Sequence, residues 1–147
     1  MSKAKVILAL LVLMLLPMAA FAGDKFEREG VLYFEQDVFD FKKEVRLEAG
    51  LTENELVDID SPVEQYAMVY SNQNELKKLV VDAAKKGCRG GCLAALIDGM
   101  REAQLRGEKP AEIRTGLLNS LDRELGSNAA LKGKELGKLT VEGYNKR

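Results

Sequence analysis

The chain has 147 residues, with 22 Lys and Arg against 23 Asp and Glu for a formal charge of −1, no histidine, no tryptophan and only two cysteines. The lack of histidine excludes Ser-His-Asp and Cys-His catalysis, histidine proton shuttling, histidine-ligated zinc and c-type haem attachment. Basic and acidic residues are interspersed, so no basic patch points to nucleic acid, and no stretch has the alternating ligands, central Gly and closing Glu of an EF-hand.

Residues 1–22 read as a secretory signal peptide. Lys3 and Lys5 form a basic start, residues 6–16 are uniformly apolar, Pro17 breaks the run, and Ala20-Phe21-Ala22 offers small residues where signal peptidase needs them. The apolar run is at or below the ~17 to 25 residues that span a bilayer, so cleavage after Ala22 and no stable membrane span are expected. The remainder, residues 23–147, is a single domain in length, with 20 basic against 23 acidic residues. Export implies a periplasmic or extracellular, oxidising location, where Cys88 and Cys92 can pair.

Val31, Phe34, Val38, Phe41 and Val45 recur at steps of three and four, which predicts an amphipathic helix ended by Gly50, with Tyr33 and Phe39 beside the stripe and widening it. A short strand over 30–34 is the alternative there, since Val-Leu-Tyr-Phe has β character. Thr52 with Glu55 and Ser61 with Glu64 both match the capping box, and Pro62 suits a first helical position, so two helix starts are expected. Val63, Tyr66, Ala67 and Tyr70 give the second an apolar side until Ser71-Asn72-Gln73-Asn74.

Three stripes follow: Leu76, Leu79, Val80, Ala83 and Ala84 up to Gly87; Leu93, Leu96, Ile97 and Met100 up to Gly107; and, after Pro110, Ile113, Leu117, Leu118, Leu121 and Leu125 up to Gly126. Connections this short favour antiparallel neighbours, so residues 74–126 are predicted to form a compact three-helix unit. Beyond it, Leu131, Leu136 and Leu139 suit a last helix that Gly133 and Gly137 weaken by about 1 kcal/mol each. Residues 140–147 are expected to be a mobile polar tail.

Cys88-Arg89-Gly90-Gly91-Cys92 joins two of these helices. A disulfide here closes a five-residue loop worth roughly 2 kcal/mol and fixes the interhelix turn. A redox-active pair is the alternative, with Cys92 at a helix amino terminus as nucleophile, Arg89 lending positive charge and Cys88 resolving. From Cys88 to Leu118, the pair, the helix after it, Arg101-Glu102-Ala103-Gln104-Leu105-Arg106-Gly107, Glu112-Ile113 and Leu117 resemble the periplasmic thiol-oxidoreductases of cytochrome c maturation. The resemblance implies that Cys88 and Cys92 act on apocytochrome cysteines. The chain departs from that family in cysteine spacing, in the missing polar run after the second cysteine and in Lys109-Pro110 where the family favours Ser-Asp, and the family is not assigned on this ground.

The sequence therefore predicts an exported, all-α small helical bundle that binds a protein partner of the cell envelope, as a scaffold or chaperone-like module. It uses no cofactor and no metal, and Cys88–Cys92 serves as a staple. Thiol-disulfide exchange through the same cysteines is the alternative function, and residues 31–47 are the candidate partner surface.

Overall fold

A computed structural model describes the backbone from Phe21 and side chains from Glu35; residues 1–20 of the expected signal peptide lie outside the described residues, as do the side chains of Val31, Tyr33 and Phe34. The chain divides into two units, Met1–Asp37 and Val38–Arg147. The described residues form six helices and no strand: α1 Phe21–Ala49, α2 Glu53–Val69, α3 Asn74–Lys85, α4 Gly91–Leu105, α5 Pro110–Ser127 and α6 Gly133–Asn145. The fold is all-α, and the unit from Val38 is a small helical bundle. The strand alternative over 30–34 falls, since α1 runs through it.

Within the second unit, Val38, Phe41 and Val45 are buried, as the stripe requires, and α1 stops where Gly50 takes φ +65. Phe39 does not widen the stripe. It is 60% exposed, because the next helical position lies about 100° round from Val38.

The first capping box forms: Thr52 Oγ1 accepts the Glu55 N–H at 3.2 Å, and Glu55 Oε1 accepts the Thr52 N–H at 2.9 Å. The second expected start is a correction. Ser61 and Pro62 lie inside α2, which continues to Val69. Proline removes one intrahelical bond there, yet Leu56, Ile59, Val63 and Tyr66 are buried on both sides of it. A single buried stripe outweighs the local signal to start anew.

The expected three-helix unit appears as α3, α4 and α5, and every predicted stripe residue of α3 and α4 is buried, as are Ile113, Leu117 and Leu121 of α5. Glu75 pairs with Arg114, and Lys86 with Asp122. These pairs join start to start and end to end, so α3 and α5 run parallel, with α4 returning between them. Both turns close with the Schellman pattern. Gly87 (φ +105) follows α3, with the Cys88 N–H on Ala83 O and the Gly87 N–H on Ala84 O, and Gly107 (φ +96) follows α4 with Glu108 on Ala103 and Gly107 on Gln104.

α4 is the central helix, packed against α2, α3, α5 and α6. Cys92, Leu93, Leu96, Ile97, Gly99, Met100 and Ala103 are buried on nearly all its sides, as an enclosed helix demands.

The chain end departs from expectation. Residues 140–147 are not a free polar tail: α6 reaches Asn145, and Thr140 and Tyr144 are buried. Of the two glycines expected to weaken this helix, Gly137 lets it dock, and Gly99 of α4 gives it room on the facing side. A β-carbon on Gly137 would lie 2.7 Å from Cys92 O and 2.8 Å from Ala95 Cβ, and one on Gly99 would lie 2.9 Å from Val141 Cγ2. Ser120 Oγ donates to Thr140 O at 2.6 Å across α5 and α6. Tyr144 OH donates to Glu108, and the Arg147 guanidinium lies 3.7 Å above the Tyr144 ring while bonding Glu108 at 3.1 Å. Burial pushes the Tyr144 hydroxyl up to about 12, which keeps it protonated and donating.

Candidate functional site

Two features carry possible function: the cysteine turn and a groove between α1 and α2. Cys88 and Cys92 are disulfide-bonded, with Cα atoms 5.1 Å apart, and both are fully buried. Gly90 makes the turn possible. It caps α4 at φ +55, in the left-handed region where a side chain is strained, and a β-carbon on it would stand 2.8 Å from Asp58 Oδ2. Gly91 then opens α4, and Cys92 sits in its first turn as expected.

Arg89 corrects the redox argument. Its guanidinium does not serve the cysteines; it turns to Glu55, with Nε and NH2 on the two carboxylate oxygens at 3.0 and 2.8 Å, and donates to Ala49 O and Gly50 O at 3.1 and 2.8 Å. One side chain thus satisfies carbonyls left free at the end of α1 and grips the first turn of α2. The arginine's hydrogen bond holds the Glu55 carboxyl below its ordinary range, helped by the Thr52 N–H. The positive charge counted toward a thiolate is spent on a carboxylate. Gly137 of α6 lies against the Cys92 carbonyl, so the turn is covered from that side.

The groove was not legible as a groove. Its volume is about 610 Å³, and Phe39, Lys42, Lys43, Arg46 and Leu47 of α1 face Glu53, Leu56, Val57 and Asp60 of α2. Leu56 is its buried floor, while Phe39, Leu47 and Val57 are 60%, 74% and 69% exposed. Lys42 pairs with Asp60, and Arg46 with Glu53 at 2.8 Å. From Val38 on, the candidate surface is therefore two faces: Val38, Phe41 and Val45 are core, and Phe39 and Leu47 are wall. The available signal was the i, i+4, i+8 row Phe39, Lys43, Leu47 lying off the main stripe, which needed Val57 opposite to mean anything.

Sequence reasoning also missed Asp98. Its Oδ1 is buried without a hydrogen-bond partner, as is Nε of Arg101 one turn on. Burial raises the Asp98 carboxyl above its ordinary 3.8, against the opposing pull of Arg101.

Among the described residues, no helix is long and apolar enough to cross a membrane. The chain matches no family model, no curated protein and no solved structure.

Proposed function

We propose that this is an exported, non-enzymatic helical protein that binds a protein partner in the cell envelope, as a scaffold or chaperone-like module, with Cys88–Cys92 as an internal staple. The observation that carries the reading is the convergence of Phe39, Leu47 and Val57 on one groove: three large apolar side chains exposed together over a buried floor. Apolar surface gathered in a concave site rimmed by charge is the usual form of a protein-binding patch. Export rests on the basic, apolar and small-residue sequence of residues 1–22.

Thiol-disulfide exchange has one observation in its favour, Cys92 in the first turn of α4. Against it stand the complete burial of both cysteines and the commitment of Arg89 to Glu55. The two readings separate in one experiment. Affinity capture from native envelope should recover a partner with the unaltered protein and lose it with Leu47→Asp and Val57→Asp. Catalytic oxidation or reduction of a model dithiol, abolished when both cysteines become Ser, would replace the binding reading with the exchange one.

A further inference from the structure

We infer that the α1–α2 groove takes an amphipathic helix of the partner, anchored by apolar side chains at positions i and i+7 and carrying a carboxylate opposite Lys43; this rests on the binding reading above.

The mode of binding follows from the walls. Both are helices, which bond their backbone groups along their own axes apart from the one bond that Pro62 removes, so the groove has no strand edge to pair with an extended chain. Among the described residues, Phe39 is the only aromatic one lining it, too few for the ring-lined slots that grip polyproline segments. Of the common peptide-recognition modes, the helix laid in a groove remains.

Spacing and charge then specify the helix. Phe39 and Leu47 stand eight residues apart on one face of α1, roughly 12 Å at 1.5 Å per residue, and side chains seven apart on a bound helix are separated by roughly 10.5 Å. Two anchors one heptad apart thus fit between Phe39 and Leu47, with Val57 closing the groove from α2. Among the described residues, the groove is lined by three cations and two carboxylates. Lys42 and Arg46 are matched by Asp60 and Glu53. Among the described residues, no carboxylate pairs with Lys43, which is exposed beside the apolar anchors. Complementarity therefore calls for an acid on the occupant.

The probe is a pair of synthetic fluorescein-labelled helical peptides with Leu at i and i+7, one flanked by Glu and the other by Lys at the positions facing Lys43. Binding to the full chain is read by fluorescence anisotropy. The Glu peptide should bind about two- to fivefold more tightly than the Lys peptide, the scale of an exposed ion pair. Lys43→Glu should reverse the order. Leu47→Asp and Val57→Asp, at exposed positions that leave the core untouched, should remove binding of both, with circular dichroism confirming the fold.

Equal or reversed preference by the unaltered chain overturns the acidic requirement. Failure of both peptides overturns the helix-in-groove inference, while partner capture that still depends on Leu47 and Val57 would leave the binding reading standing. A dimer in light scattering that Leu47→Asp dissociates would give the groove to a second copy. Binding to phosphatidylglycerol vesicles lost with the same variant would give it to a lipid surface. Each of these two results also overturns the inference.

Discussion

Gly116 of α5 packs against the ring of Tyr144 of α6: a β-carbon there would stand 2.8 Å from Cδ1 and closer still to Cε1. Tyr144 is buried in a helix whose own sequence gives little reason for stability, so its seat on Gly116 is part of what holds the chain end in place. Gly116→Ala should lower stability by about 1 to 3 kcal/mol through overpacking. Gly126→Ala, in the same helix with nothing within 4 Å of its β-carbon, should be neutral or stabilising by up to about 1 kcal/mol. Urea unfolding of the two variants checks this. Equal effects would mean that α6 does not dock as described.

Replacing Cys88 and Cys92 together by Ser should reduce stability by about 2 kcal/mol, the loop-closure contribution of a five-residue ring, while helix content persists. The turn keeps its Gly87 closure and the Arg89 clamp without the sulfurs. Because both cysteines are buried, the pair should be strongly reducing, below about −300 mV, as structural disulfides are. Equilibration with a dithiothreitol or glutathione series measures this, and a much more oxidising potential with a depressed Cys92 thiol would argue for exchange.

Acid should destabilise the bundle through three carboxylates. Glu55 is held below its ordinary 4.5 by the hydrogen bond from Arg89, Glu75 by that from Arg114, and Glu108 by that from Tyr144. A lowered folded value means that the stabilisation is fully present above 4.5 and lost as pH falls through the lowered values. Asp98 opposes this: burial raises it above 3.8, so its penalty is present above the raised value and relieved in acid.

Arg89→Ala should therefore flatten the acid loss while lowering stability at neutral pH by about 1 to 2 kcal/mol. The Ala49 and Gly50 carbonyls account for as much of that as the partly exposed ion pair. Asp98→Ala should raise the neutral-pH melting temperature. Thermal melts at neutral and acid pH test both, and an unchanged acid profile in Arg89→Ala would sever Glu55 from this account.

Export predicts that the mature protein begins at Gly23. N-terminal sequencing of the protein recovered from the envelope or medium checks the cleavage after Ala22, and a chain that still carries residues 6–16 would reject it.

Helix identity from Asn74 to Ser127 was readable from the sequence by itself. Leu76 to Ala84, Leu93 to Met100 and Ile113 to Leu121 repeat with the helical period, and glycines that can reverse the chain stand where two of the turns do so. Thr52 with Glu55 was readable for the same reason: a cap is a contact between residues three apart, and sequence carries such contacts whole. Ser61 with Glu64 looked identical locally and failed, because whether α2 restarts at Pro62 depends on a core that Ile59 and Val63 share with α4. Gly133 and Gly137 read as helix breakers because propensity describes an isolated helix. Gly137, packed against Cys92, is instead a point of closest approach, as is Gly143 against Ser120, and burial of Tyr144 offsets the local cost. The direction of Arg89, toward Glu55 rather than Cys92, and the meeting of Phe39 and Leu47 with Val57 join residues of different helices, 34, 18 and 10 positions apart, beyond the reach of any local pattern, so only the tertiary structure could decide them.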